Sequence, residues 1–295
     1  MHKFLRAVGF SRCTQKKEEN YLLKQMENRY TVCNSCEKYD GEEMTELKIS
    51  LAEGIGVILR GRYREDGEFE REYYFPYVTC DEVATTAPCQ VQRHAEKDAF
   101  SGLCEEYRLG ISLIFYIQNA LEYEERCMDV LRSSDISGVC LSALSVSGKI
   151  LIPLKKTKRQ IELSQVSTKN RSALLEAARQ GDESAMESLT LEDINTYTDI
   201  TRRMMKEDVY SLLDSCFMPF GVECDQYSVV GTILDLKKVE NLWSGEKIYI
   251  IKLECNDMVF HVAINEADLL GEPMVGRRFK GDIWLQGILQ FDKRN

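Results

Sequence analysis

The sequence predicts an α+β protein: an antiparallel β-rich N-terminal domain, a helical connecting block, and a C-terminal five-stranded OB-like β-barrel. Three observations predict it. Asp66-Gly67 stands between two strand-like runs, and such a pair is a strong hairpin signal because the turn needs positive φ. Ser147-Gly148 punctuates a second pair of runs, Val139–Val146 and Lys149–Leu154. Beyond Tyr227 the chain reads as five strands with one short helix between the third and fourth, the order of an OB-type barrel.

In chain order, Phe4, Leu5 and Val8 have helical spacing that Gly9 interrupts. Lys16–Tyr30 is expected to be a helix with Tyr21, Leu22, Met26 and Tyr30 on one face. Asn34–Gly41 reads as a polar loop, after which the period changes to two at Leu47, Ile49 and Leu51. Gly56–Arg64 and Glu68–Tyr77 form the first hairpin. His94–Tyr107 fits either template, with helix preferred, Gly110–Gln118 is a buried strand, and Asn119–Leu131 is helical. Strands that arrive as hairpins argue for antiparallel pairing and against a parallel βαβ sheet.

A polar stretch over 155–170 sets the first boundary, so the domains are expected at 1–155, 156–218 and 219–295. In the middle block Leu174, Leu175 and Ala178 form one stripe, which Ala185, Met186 and Leu189 resume. Thr190 to Asp193 is a capping-box variant opening a helix with Ile194, Tyr197, Ile200 and Met204 inward. Residues 208–218 fit helix or strand. The barrel strands are expected at 226–240, 247–255, 258–264, 277–285 and 287–291, with Gly231 coiling the first and Gly287 separating the last two.

Composition narrows the function. The 295 residues carry 38 Lys+Arg against 48 Asp+Glu, a net charge of −10. No segment has the positive excess that non-specific phosphate binding needs, and the run Lys155-Lys156-Thr157-Lys158-Arg159 reads as a solvated linker. Nucleic acid is therefore an unlikely partner. The opening residues lack the apolar stretch of a secretory signal, and the longest strongly apolar run, Ile111–Ile117, is far shorter than a membrane span. The 11 cysteines are an odd number at irregular spacings, as expected of reduced thiols in the cytoplasm.

Few chemical motifs survive. Cys33-Asn34-Ser35-Cys36 is a single CxxC, and structural zinc needs four ligands, so no metal is expected and Cys33 and Cys36 read as free thiols. His94 with Cys104 forms a base and nucleophile only by residue type, and Arg93, His94 and Glu96 remain a polar cluster without a local catalytic signature. Gly54-Ile55-Gly56 leads into a strand with Leu59 in the third glycine's place, which rules out a dinucleotide fingerprint. Gly271 to Gly276 has P-loop spacing without its Lys-Ser/Thr pair. No cofactor is expected.

Within the barrel, Tyr249, Ile251, Leu253, Phe260 and Val262 read as core. Arg278, Lys280, Asp282 and Trp284 are expected to alternate outward, where Trp284 beside two cations would stack a base or an anionic ligand. The bland alternative packs Trp284 under the helical block with Arg278 and Lys280 solvated.

Met1 to Ser11, Arg93 to Lys97, Gly110 to Asn119, Cys224 to Ser228 and Gly276 to Gly287 are similar to the recurring strings of a domain-of-unknown-function family from clostridial Firmicutes. The resemblance runs the full length. It implies a bacterial cytoplasmic origin and one family-wide architecture, and it carries no site residue with it. The function expected from the residues is that of a non-enzymatic binding or scaffolding protein engaging another protein. Single-stranded nucleic-acid or nucleotide binding by the barrel is the alternative, and an enzyme using His94 the second.

Overall fold

The computed structural model describes residues 2–37, 43–94, 99–106, 108–128, 136–153, parts of 170–191, and 215–291. The chain opens with a 3-10 helix, Lys3–Val8, and an α-helix, α1, Lys16–Glu27. The helix buries Glu19, Leu23 and Met26, whereas Tyr21 and Tyr30 are exposed, so the buried stripe is rotated from the expected one.

Four strands follow as an antiparallel meander: β1 (Val32–Glu37), β2 (Glu43–Ala52), β3 (Ile55–Tyr63) and β4 (Phe69–Val78). The Asp66-Gly67 turn falls between β3 and β4 as expected, with Gly67 at φ 82. Of the polar loop expected at Asn34–Gly41, residues 38–41 lie outside the described residues and 34–37 instead belong to strand β1. Its polar side chains pair across the ladder, as in the 2.8 Å bond between the Ser35 and Thr45 hydroxyls.

Next come β5 (Cys89–Arg93), β6 (Phe100–Glu106), β7 (Ile111–Ile117), α2 (Ala120–Met128) and β8 (Ile136–Leu151). Among the described residues of His94–Tyr107 the preferred helix is replaced by a strand: Phe100, Gly102, Cys104 and Glu106 are buried in alternation, the period of a strand. The hairpin expected at Ser147-Gly148 is likewise absent, because β8 runs unbroken through it. Gly148 faces Gly281 across the ladder, and a Cβ on it would stand 2.6 Å from the Phe279 ring. The glycine serves close packing rather than a turn.

The C-terminal strands are β9 (Cys216–Pro219), β10 (Gln226–Glu240), β11 (Lys247–Cys255), β12 (Met258–Asn265), β13 (Leu269–Leu270) and β14 (Arg278–Phe291). A 3-10 turn, Glu266–Asp268, replaces the expected short helix. Strand β14 is one element where two were expected. Gly287 does not break it, since a Cβ there would lie 2.5 Å from Phe115, so this glycine too is a packing residue. The strand found at 216–219 resolves that end of the ambiguous 208–218, while 208–214 and the expected helix from Thr190 lie outside the described residues.

Strand β8 pairs antiparallel with β14 and parallel with β12; β12 pairs with β11, β11 with β10, and β10 with β14. The pairings of these five strands therefore close on themselves, and the fifth member comes from the N-terminal half. Strands β7, β6 and β5 extend the sheet beyond β14.

The cores are layered in space rather than divided along the chain. One fills the interior of the ring, with Leu141, Tyr227, Leu253, Phe260 and Phe279, and continues beneath β7 at Phe115. The other lies between the ring's outer face and the β1–β4 sheet, where Ile250, Ala263, Leu144 and Trp284 meet Leu59, Phe75, Tyr77 and Phe4. The N-terminal turn is fastened onto this layer. Asn241 Nδ2 donates to the Val8 carbonyl at 2.7 Å, and Arg6 forms a two-pronged pair with Asp268 at 2.6 and 2.5 Å. Among the described residues no helix is long and apolar enough to cross a membrane.

Candidate functional site

Strand alternation places Asn34 and Cys36 of β1 on the same face as their cross-strand partners, Glu46 and Met44. Cys36, Met44 and Leu121 form a small apolar cluster that seats α2 on that face. Beside it opens a cleft of about 540 Å³ whose walls include Cys33, Asn34 and Ser35 of β1, Glu46 of β2, and Glu122 and Glu125 of α2. Asn119 locks the first turn of α2: its side chain exchanges two bonds with the Leu289 backbone, at 3.0 and 2.9 Å, and donates to Glu122 at 3.0 Å.

Glu46 also closes the cleft toward the interior. Behind it Arg60 is fully buried, with Nε 3.0 Å from Glu46 Oε2, one terminal nitrogen donating to the Tyr73 hydroxyl and the other to the Gln118 carbonyl, both at 2.8 Å. Burial works against the Arg60 charge, but Glu46 and the Tyr73 and Tyr116 phenols outweigh it and keep the guanidinium pKa raised. Burial pushes both phenols up. Gln118 continues the network to the Val78 carbonyl, Ser142 and Gln286, and Gln286 donates to the Pro76 carbonyl at 2.8 Å. The two sheets are thus joined by a buried polar chain whose outer end is the cleft. Chemically, the cleft offers carboxylate, amide and hydroxyl groups, which accept hydrogen bonds from a cationic side chain, and no histidine lines it.

The residues singled out from sequence fall in three places. Cys33 is on the cleft wall and exposed, and Cys36 is buried under α2. Among the described residues there is no cluster of metal-ligating side chains. Arg278 and Trp284 face away from the ring's interior but are not exposed: both are buried, and Lys280 is half-buried. Arg278 donates to the Ile152 carbonyl at 3.2 and 3.1 Å. Trp284 stacks on Phe4 with ring centres 5.3 Å apart and donates its Nε1 proton to Asp225 at 2.7 Å. It packs beneath the N-terminal turn, and most of the helical block expected over it lies outside the described residues.

Arg93 ends strand β5 and His94 follows it, both exposed, with His94 Nε2 2.7 Å from the Ser101 hydroxyl, while Glu96 lies outside the described residues. Cys104 faces Cys89 across the ladder rather than His94. Sequence reading missed Arg60. The available signal was an arginine directly after the apolar run Val57-Ile58-Leu59, a position where a charge must find a partner.

The fold and cleft define a β-dominated protein in which a strand meander packs on a larger, self-closing sheet. Residues 5–287 match the family model described as "Domain of unknown function, E. rectale Gene description (DUF3881)", and the chain belongs to that family. No curated protein and no solved structure matches it.

Proposed function

We propose that this protein is a non-enzymatic binding protein that engages an extended segment of another protein along β1. The observation that carries the reading is the position of β1. Among the described residues it pairs on one side only, with β2, it exposes Val32–Ser35, and it borders the cleft. An open strand edge offers a row of backbone donors and acceptors, and an adjoining cleft supplies side-chain selectivity. With Glu46 held by Arg60, the carboxylates of Glu125 and of Glu122, the latter shared with Arg126, favour a lysine or arginine on the incoming strand, in keeping with the net charge of −10.

The closed five-strand ring reads as an OB-like barrel in which β8, drawn from the N-terminal half, runs parallel to β12 and completes the circle. Its outer face is packed against the protein's own sheet. Nucleic-acid stacking on Trp284 has correspondingly less support, because that ring lies under Phe4. Thiols at all 11 cysteines fit action in the cytoplasm.

The test is binding of the whole protein to an array of extended peptides graded from basic to acidic. Basic peptides with alternating apolar residues are expected to bind. A Glu122→Lys/Glu125→Lys variant that melts like the parent is expected to lose that preference. Absence of binding, or equal binding to acidic peptides, would remove the reading.

A further inference from the structure

We propose that Cys89 and Cys104 form a reversible dithiol that low-molecular-weight disulfides oxidise to a cross-strand disulfide, clamping β5 to β6. The two cysteines are direct partners in the antiparallel ladder. The bond from His94 N to the Ala99 carbonyl lies on the same register and sets its phase. Hydrogen-bonded and non-hydrogen-bonded pairs alternate from there, which places Cys89 and Cys104 at a non-hydrogen-bonded pair. Such pairs hold their Cα atoms about 4.5 Å apart, inside the range of roughly 4.4–6.8 Å that a disulfide spans.

The two thiols differ in the way a nucleophile and a resolving thiol should. Cys89 is partly exposed on a strand that, among the described residues, pairs on one side only, and Cys104 is fully buried. Hydrogen bonding from the Cys104 thiol favours the Cys89 thiolate and lowers its pKa, while the same contact and burial push Cys104 up. A second thiol pair, Cys80 with Cys140, provides an internal contrast. Burial raises both of its members, so neither is primed to attack.

The chemistry balances in two exchanges. The Cys89 thiolate attacks one sulfur of the small disulfide, forming a mixed disulfide and releasing one small thiol, which takes the Cys89 proton. Cys104 Sγ then attacks Cys89 Sγ, and the second small thiol leaves with the Cys104 proton. The protein loses two electrons and the small disulfide gains them. Excess small thiol reverses both steps.

The experiment exposes the full-length protein to oxidised glutathione, blocks the remaining thiols by alkylation, and maps peptides without reduction. A Cys89–Cys104 peptide that disappears on adding reduced glutathione is expected, with Cys80 and Cys140 still alkylated. Cys104→Ser, checked for an unchanged melting profile, should trap glutathione on Cys89, a species that wild type does not accumulate. Cys89 recovered fully alkylated while the exposed Cys33, Cys127 and Cys224 carry glutathione would overturn the proposal. So would a link from Cys89 to Cys127. The wild-type map decides the matter even if the serine variant misfolds.

Discussion

Arg60 on β3 stands directly across the ladder from Glu46 on β2 and from Tyr73 on β4, so one row of three side chains carries a charge into the centre of the molecule. The guanidinium has no exposed surface, and its bonds to Glu46, Tyr73 and the Gln118 carbonyl satisfy it from three directions. A buried pair of this kind need not add net stability, because desolvation opposes the attraction. Its value lies in register: a one-residue slip of β3 against either neighbour would leave the charge unpaired.

Removing either partner alone is therefore expected to destabilise the protein by about 3–5 kcal/mol, since the other charge stays buried without compensation. Replacing both, as Arg60→Met with Glu46→Leu, should cost clearly less than the two single changes together. Urea unfolding of the four proteins in a double-mutant cycle measures the coupling. Additive losses, or single losses below about 1 kcal/mol, would show that the pair is not the constraint described.

Much of the local pattern was legible in the sequence and much of the topology was not. The Asp66-Gly67 hairpin was readable because positive φ is a local demand of the backbone. The strand cores at Leu47, Ile251 and Phe260 were readable from alternation. Gly148 and Gly287 misled because glycine has two uses. It permits turns, and it also clears space for an aromatic ring on a neighbouring strand, and only the fold shows that Phe279 and Phe115 are those rings. Arg278 and Trp284 were placed outward by strand alternation. Alternation separates two faces without saying whether both are covered, and here the N-terminal turn covers the second.

The membership of β8 in the ring bears on where the chain can be cut. Residues 216–291 lack the strand that pairs with both β12 and β14. Without β8, the apolar side chains of Ile264, Phe279 and Leu285, all buried in the whole protein, lose one wall of their core. The fragment 216–295 is therefore expected to show no cooperative thermal unfolding and poorly dispersed amide resonances, and a fragment that also carries residues 136–153 should recover order. A sharp two-state transition in 216–295 alone would show that the C-terminal strands close without help.

Asp225 and Trp284 set up a pH-dependent prediction. The indole proton reaches Asp225 Oδ2 at 2.7 Å, yet burial dominates and raises the carboxyl pKa above the usual value for aspartate. An acid whose folded-state pKa is raised binds its proton more tightly in the fold than in the unfolded chain. The charged form is thus a cost above the folded pKa, and that cost fades as pH falls through it toward the unfolded value of about 3.9. Asp225→Asn keeps an oxygen for the indole and removes the charge. It should raise the denaturation midpoint at pH 7, with the advantage shrinking as the pH approaches 4. Trp284→Phe removes the donor, so at pH 7 it should destabilise the parent protein more than it destabilises the Asp225→Asn variant. If Asp225→Asn lowers stability at pH 7, the indole is holding a carboxylate whose charge the fold requires, and the cost assigned to burial is too large.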